Sequence, residues 1–222
     1  MACVRVVIAG GHGQIAMRLT ALLTGRGDTV VSLVRNPDHR GDVERVGGEP
    51  VVLDLEAAAV ADLAPVVGGA DAVVFAAGAG PGSGAARKDT VDRAAAVLLA
   101  DAARAAGVRR YLLVSSTGVD DPPRPGTDEV WAAYLVAKKA AEEAISASGL
   151  DWTILRPGRL TDEQGTGRVL LAPPPVERAD VTRDDTAVVL VALLDTEATV
   201  GRILELRAGD TDVREAVRHL SS

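Results

Sequence analysis

Short runs of Val, Leu and Ile alternate with Ala-rich stretches of helical periodicity from the N-terminus to about residue 156. The apolar runs Val4–Ala9, Thr29–Val34, Pro50–Leu53, Ala72–Ala76, Tyr111–Val114 and Trp152–Leu155 predict strands. Each ends near Gly, Asp, Arg or Ser, as buried parallel strands do. Between them the pattern predicts helices over Gln14–Gly25, Asp38–Val46, Arg87–Ala106 and Asp128–Ser148. Gly107 and Gly149 stand as C-terminal stops, and Thr127 or Asp128 as an N-cap. Pro65 makes any helix over Ala57–Val67 short or broken. Repeated strand–helix–strand units cross over right-handedly, so the fold class is α/β, a Rossmann-type doubly wound parallel sheet. After residue 156 the rhythm changes. Leu160–Leu171 is polar and Gly-bearing, and Ala172–Val176 is proline-rich. Thr182–Leu194 reads as an amphipathic helix and Arg202–Leu206 as a late strand. No linker separates a second domain, so residues 1–222 are read as one unit, with 157–210 a small substrate-side lobe. Pro81–Gly84 and Asp120–Gly126 are Gly/Pro-rich loops after strands, where such a sheet places ligand contacts.

The turn after the first strand carries the strongest chemical signal. Gly10-Gly11-His12-Gly13-Gln14-Ile15-Ala16 lies between an apolar strand and an amphipathic helix. Gly10 permits the sharp turn, Gly13 lets backbone approach a pyrophosphate, and Ala16 lets helix pack on strand. The amides opening the helix then face negative phosphates. His12 is a loop residue, at most a neighbour of those phosphates. At the end of the second strand, Leu33-Val34-Arg35-Asn36-Pro37 offers no carboxylate for ribose hydroxyls. The guanidinium of Arg35 suits a 2′-phosphate, and Arg40 adds charge nearby. These residues favour NADP, with NAD as the alternative. Asp54-Leu55 closes the third strand at the expected adenine position. Ala76-Ala77-Gly78 closes the fourth with side chains small enough to admit a ribose.

Composition narrows the partners. Hydrophobic residues make up 47% of the 222-residue chain and aromatics 2%, so the core is built from aliphatic side chains. A net charge of -7 without a basic run argues against nucleic acid, and five aromatic side chains make no base-stacking platform. No stretch reaches the roughly 18 apolar residues of a membrane span. With a single cysteine, Cys3, and no leader pattern at the N-terminus, the expected compartment is the cytoplasm. His12, His39 and His219 are scattered, so no metal site is expected. The expected partner is a small-molecule substrate.

Taken in order, GGHGQIA, LVRNP, LDL at Leu53–Leu55, FAAGAG at Phe75–Gly80, YLLVSS at Tyr111–Ser116, YLVAK at Tyr134–Lys138 and LRPGRL at Leu155–Leu160 resemble the short-chain dehydrogenase/reductase superfamily. The resemblance is to its atypical members, the NmrA-like and biliverdin/flavin-reductase-like NAD(P)H-binding proteins. It implies that Ser116 polarises a substrate carbonyl, that Tyr134 and Lys138 form the Tyr-x-x-x-Lys pair, and that Pro157-Gly158 lies against the nicotinamide. Lys138 would also contact the cofactor. Residues four apart share a helix face, so Lys138 can sit beneath Tyr134. A free tyrosine titrates near pH 10, and a neighbouring ammonium favours its phenolate.

The implied activity is NAD(P)H-dependent reduction of a small carbonyl or conjugated acceptor. Three alternatives use the same pattern: a redox-sensing NADP-binding protein that reports to a protein partner, a sugar-nucleotide epimerase, and a flavin reductase. The Ala-Ala-Gly ending of the fourth strand departs from the asparagine-bearing version of many active members. The short C-terminal region disfavours the larger epimerase pocket.

Overall fold

The computed structural model describes residues 3–80, 82–121 and 126–220. Its strands are β1 (Arg5–Ala9), β2 (Thr29–Val34), β3 (Glu49–Val52), β4 (Ala72–Phe75), β5 (Arg110–Val114), β6 (Asp151–Pro157), β7 (Arg159–Thr161), β8 (Arg168–Ala172), β9 (Asp180–Thr182), β10 (Arg202–Ala208) and β11 (Thr211–Asp212). Its α-helices are α1 (Gln14–Gly25), α2 (Arg40–Arg45), α3 (Val60–Val67), α4 (Ala85–Arg87), α5 (Ala95–Ala105), α6 (Glu129–Ser146), α7 (Arg183–Leu194) and α8 (Val213–His219).

Among the described residues a nine-stranded sheet runs in the order β11-β8-β10-β6-β5-β4-β1-β2-β3. Every pair from β10 to β3 is parallel, while β8 runs antiparallel to β10 and to β11. Successive β1 residues face opposite sides. Val6 and Ile8 join the core under α1, α7 and α8, whereas Val7 and Ala9 join the one under α3, α5 and α6. The chain leaves β1 toward β2 and β3, then returns to place β4 on β1's other side. The order reverses there, which opens a crevice at the carboxyl ends of the strands.

The expected strands and helices of the first 156 residues are present within a few residues. Asp128 is the cap of α6, accepting the Trp131 N–H at 2.9 Å. Pro65 lies inside the short α3. The expected Arg87–Ala106 helix departs from the reading: Lys88–Ala94 winds as a π-helix between α4 and α5. Beyond residue 157 the expected helix and late strand are present as α7 and β10, but the rest differs. Leu160–Leu171, read as polar and Gly-bearing, holds all but the last residue of β8, and β10, β8 and β11 extend the main sheet. The short strands β7 and β9 pair separately, in parallel. Of the two expected loops, Pro81 and Pro122–Pro125 lie outside the described residues.

Candidate cofactor cleft and Tyr-Lys site

A cleft of about 370 Å³ opens at the reversal point. It runs from Gly10, His12 and Gly13 across Leu33–Asn36 and Leu53–Glu56 to Ala76–Ala79, with Arg87 at its rim. Sterics dictate the glycines. Gly10 has φ +78°, and a Cβ there would lie 2.6 Å from the Ala77 Cα. A Cβ on Gly11 would lie 2.5 Å from the Ser32 Cβ on β2. The Gly11 N–H donates to Leu33 O and the Gly13 N–H to Gly10 O, at 2.8 and 2.7 Å, so both amides serve the turn itself. Gly13 caps α1 without a side-chain bond, and no acidic residue occupies the first turn. The first-turn amides, from Gln14 and Ile15 onward, therefore have no side-chain acceptor and a favourable dipole for an anion. The bare turn and the uncapped helix fit a pyrophosphate.

Arg35 reaches the cleft with its side chain 58% exposed, and its Nη1 lies 3.2 Å from Glu56. Arg40 is exposed and lines no part of the cleft. A second guanidinium comes instead from Arg87, which pairs with the same Glu56, while Thr90 Oγ1 donates to it at 2.7 Å. Arg87, and then Thr90, hold the Glu56 carboxyl below the usual carboxylate range. Sequence reasoning missed Glu56 and Arg87, because their meeting depends on where the turn after β3 lies relative to α4. Asp54 Oδ1 accepts the Glu56 N–H at 3.0 Å, and Asp54 and Leu55 both line the cleft. His12 stacks on His39 with ring centroids 3.6 Å apart, and its Nε2 lies 2.8 Å from Asp42.

The expected chemical residues lie beyond the Ala76–Ala79 end. Tyr134 is half-buried on α6, its ring stacked 5.1 Å from Trp131. Lys138 is 3% exposed. Its Nζ donates to Val114 O at 2.9 Å and lies 5.8 Å from the centre of the Tyr134 ring. The pair thus shares one helix face as expected. Ser116 is half-buried, and its Oγ donates to Thr117 O at 3.1 Å; among the described residues it makes no hydrogen bond to Tyr134. The Pro157 carbonyl accepts the Thr117 N–H at 3.1 Å, and the Gly158 N–H donates to Leu206 O at 2.8 Å. A Cβ at Gly158 would lie 1.9 Å from Ala179 O, so packing alone demands that glycine. Two groups beside Tyr134 were not foreseen. Lys88 is 8% exposed with Nζ 5.6 Å from the tyrosine ring, and Asp92 is fully buried, 3.4 Å from the Lys138 Nζ. The sequence does hold a signal for the first, since lysine occurs only three times in the chain. Among the described residues no group of His, Cys, Asp or Glu is arranged to hold a metal ion, and no helix is long and apolar enough to cross a membrane.

A family model described as NAD(P)H-binding matches residues 10–197. A Bacillus subtilis protein named as an uncharacterised sugar epimerase is 36% identical over 217 residues, covering 97% of this chain and all of its own length. Among solved structures, a candidate NAD-dependent epimerase/dehydratase from Bacillus halodurans superposes with a TM-score of 0.89 at 34% identity, over 97% of this chain and 99% of its own. An oxidoreductase from Lactococcus lactis gives 0.83 at 26% identity, over 97% and 96%.

Proposed function

The chain is a member of the NAD(P)H-binding family, and from that premise we propose that it is an NADP(H)-dependent oxidoreductase acting on a small carbonyl or conjugated acceptor. The observation that carries this reading is the placement of Tyr134 and buried Lys138 on one face of α6, beside the end of the cofactor cleft. Gly10–Ile15 would hold the pyrophosphate, Arg35 and Arg87 the 2′-phosphate, Asp54 and Leu55 the adenosine end, and Ala76–Gly78 the ribose. The bound cofactor supplies the hydride that the acceptor carbon gains. Tyr134 gives its hydroxyl proton to the acceptor oxygen, and the Lys138 ammonium stabilises the phenolate left behind. Ser116, freed from Thr117 O, would orient that oxygen. Pro157 and Gly158 would bound the site on the far side.

Two measurements test the reading. Titrating NADPH and NADH into wild-type protein and into Arg35→Ala and Arg87→Ala variants should show NADPH affinity falling about tenfold or more in each variant while NADH affinity holds. Equal losses for both cofactors would remove the 2′-phosphate assignment. In a screen of carbonyl acceptors, Tyr134→Phe should lose turnover by about 10²–10⁴-fold with cofactor affinity unchanged. Full activity in that variant would end the proton-donor role.

A second reading follows from the naming of the Bacillus subtilis relative. The same tyrosine and lysine would serve a sugar-nucleotide epimerase. Binding of a nucleoside-diphosphate sugar to the cofactor-loaded protein would favour it, and absence of binding would leave the reductase.

A further inference from the structure

Lysine is scarce in this chain, three residues in all, yet two of them are buried beside Tyr134. The proposed reaction gives work to Lys138 but none to the carboxylate that faces it. Asp92 is 0% exposed and sits in the π-helical stretch Lys88–Ala94. Such stretches interrupt α-helices frequently at functional sites.

The two oxygens of Asp92 have different neighbours. Oδ2 accepts the Ala79 N–H at 3.2 Å, which ties the carboxylate to the segment lining the cleft. Oδ1 is buried with no hydrogen-bond partner and lies 3.4 Å from the Lys138 Nζ. Gly78 covers that same oxygen: a Cβ there would come within 3.2 Å of it. Among the described residues Asp92 and Lys138 are each other's sole opposite charge within 4 Å, and both side chains are almost wholly out of water. A buried ammonium has to be compensated by a counter-charge, and so does a buried carboxylate. Lys138 has three protons to place. Val114 O takes one and Asp92 offers an acceptor for a second, which leaves a third for the Tyr134 side. Lys88, the other cation near the ring, spends its Nζ on Gly80 O at 3.1 Å.

We propose that Asp92 is a positioning residue that holds Lys138 as an ammonium and links it, through the Ala79 amide, to the segment that contacts the cofactor. The first half stands on the free protein alone. The link to cofactor rests on the function proposed above. The Oδ1 that faces Lys138 also lies beneath Gly78, in the segment that lines the cleft.

The scarcity of lysine makes the test direct. Protein labelled with ¹⁵N-lysine has three side-chain nitrogens to follow, assigned with Lys88→Arg and Lys139→Arg. In wild-type protein at neutral pH, Lys138 should give a slowly exchanging ammonium signal before any cofactor is added. That signal should move when NADPH is titrated in. In Asp92→Asn it should vanish or take the position of a neutral amine, and NADPH affinity should fall about tenfold. A folded Asp92→Asn protein with an unchanged Lys138 signal would overturn the proposal even if NADPH still binds. Wild-type protein that ignores NADPH would defeat the functional reading, yet the free-protein spectra would still decide the role of Asp92. If Asp92→Asn does not fold, the double variant with Lys138→Met decides: recovery of the fold supports the charge pair, and continued failure overturns it.

Discussion

At Gly11 the chain has no room for a methyl group, since β2 passes 2.5 Å from where the Cβ would stand. Gly11→Ala should therefore destabilise the protein by about 1–3 kcal/mol, read as a lower denaturation midpoint with an unchanged slope. The glycine pattern was legible as a cradle, but the division of labour within it was not. Sequence spacing gives Gly13 a backbone approach to the pyrophosphate, whereas the Gly11 and Gly13 N–H groups close the turn internally. Gly158 was legible only as a motif member, because its reason, the Ala179 carbonyl, lies 21 residues downstream on another segment. Glu56 belongs to the same class of long-range partners. Its carboxyl is held low by Arg87 and Thr90, so the stability it lends is present above the ordinary carboxylate range. That stability is lost as pH falls through the depressed value. In Glu56→Gln the fall of melting temperature on acidification should be shallower. NADPH affinity should rise, because Arg35 and Arg87 no longer neutralise a carboxylate.

Between elements, the tie most exposed to a single change is Arg156. This β6 side chain is 1% exposed; its Nε donates to Glu142 of α6 at 2.9 Å, and its guanidinium also pairs with Asp120. Arg156→Met leaves the buried Glu142 charge without a partner and should cost about 3–5 kcal/mol, measured by denaturant unfolding. Restoring stability with Glu142→Leu in the same chain would identify the stranded charge as the cause. Asp120, half exposed, contributes far less. The elements themselves were largely legible. Short aliphatic runs bounded by turn residues suit buried strands, and Gly107 and Gly149, both at positive φ, lie just past the ends of α5 and α6. The π-helical stretch was not legible, since Lys88–Ala94 carries no residue that forbids an α-helix and tertiary packing makes the choice. Nor was β8. Its alternation, with Val169 and Leu171 buried, occupies only the last residues of a longer polar stretch and needs β10 beside it to count as a strand.

Across the whole molecule, the fold class was legible because an alternating α/β pattern admits one handedness, and the cleft because the glycine turn follows the first strand. The substrate side was not, since it is built from loops and short strands whose conformations follow from contacts rather than from periodicity. The reversal has a further effect. The β1–β2–β3 half and the rest of the sheet are hydrogen-bonded to each other through the single β1·β4 pair, over the register Val6↔Ala72 to Ala9↔Phe75. The cleft straddles that seam, with Gly10 and Leu33–Asn36 on one bank and Ala76–Ala79 on the other. A ligand lying there fastens two panels that the backbone joins along four residue pairs, so occupancy works as a clasp. At a concentration one hundred times its dissociation constant such a clasp adds about 2.7 kcal/mol. Amide hydrogen exchange would then slow along β1 and β4 together, and the two panels would come apart as one unit rather than in sequence.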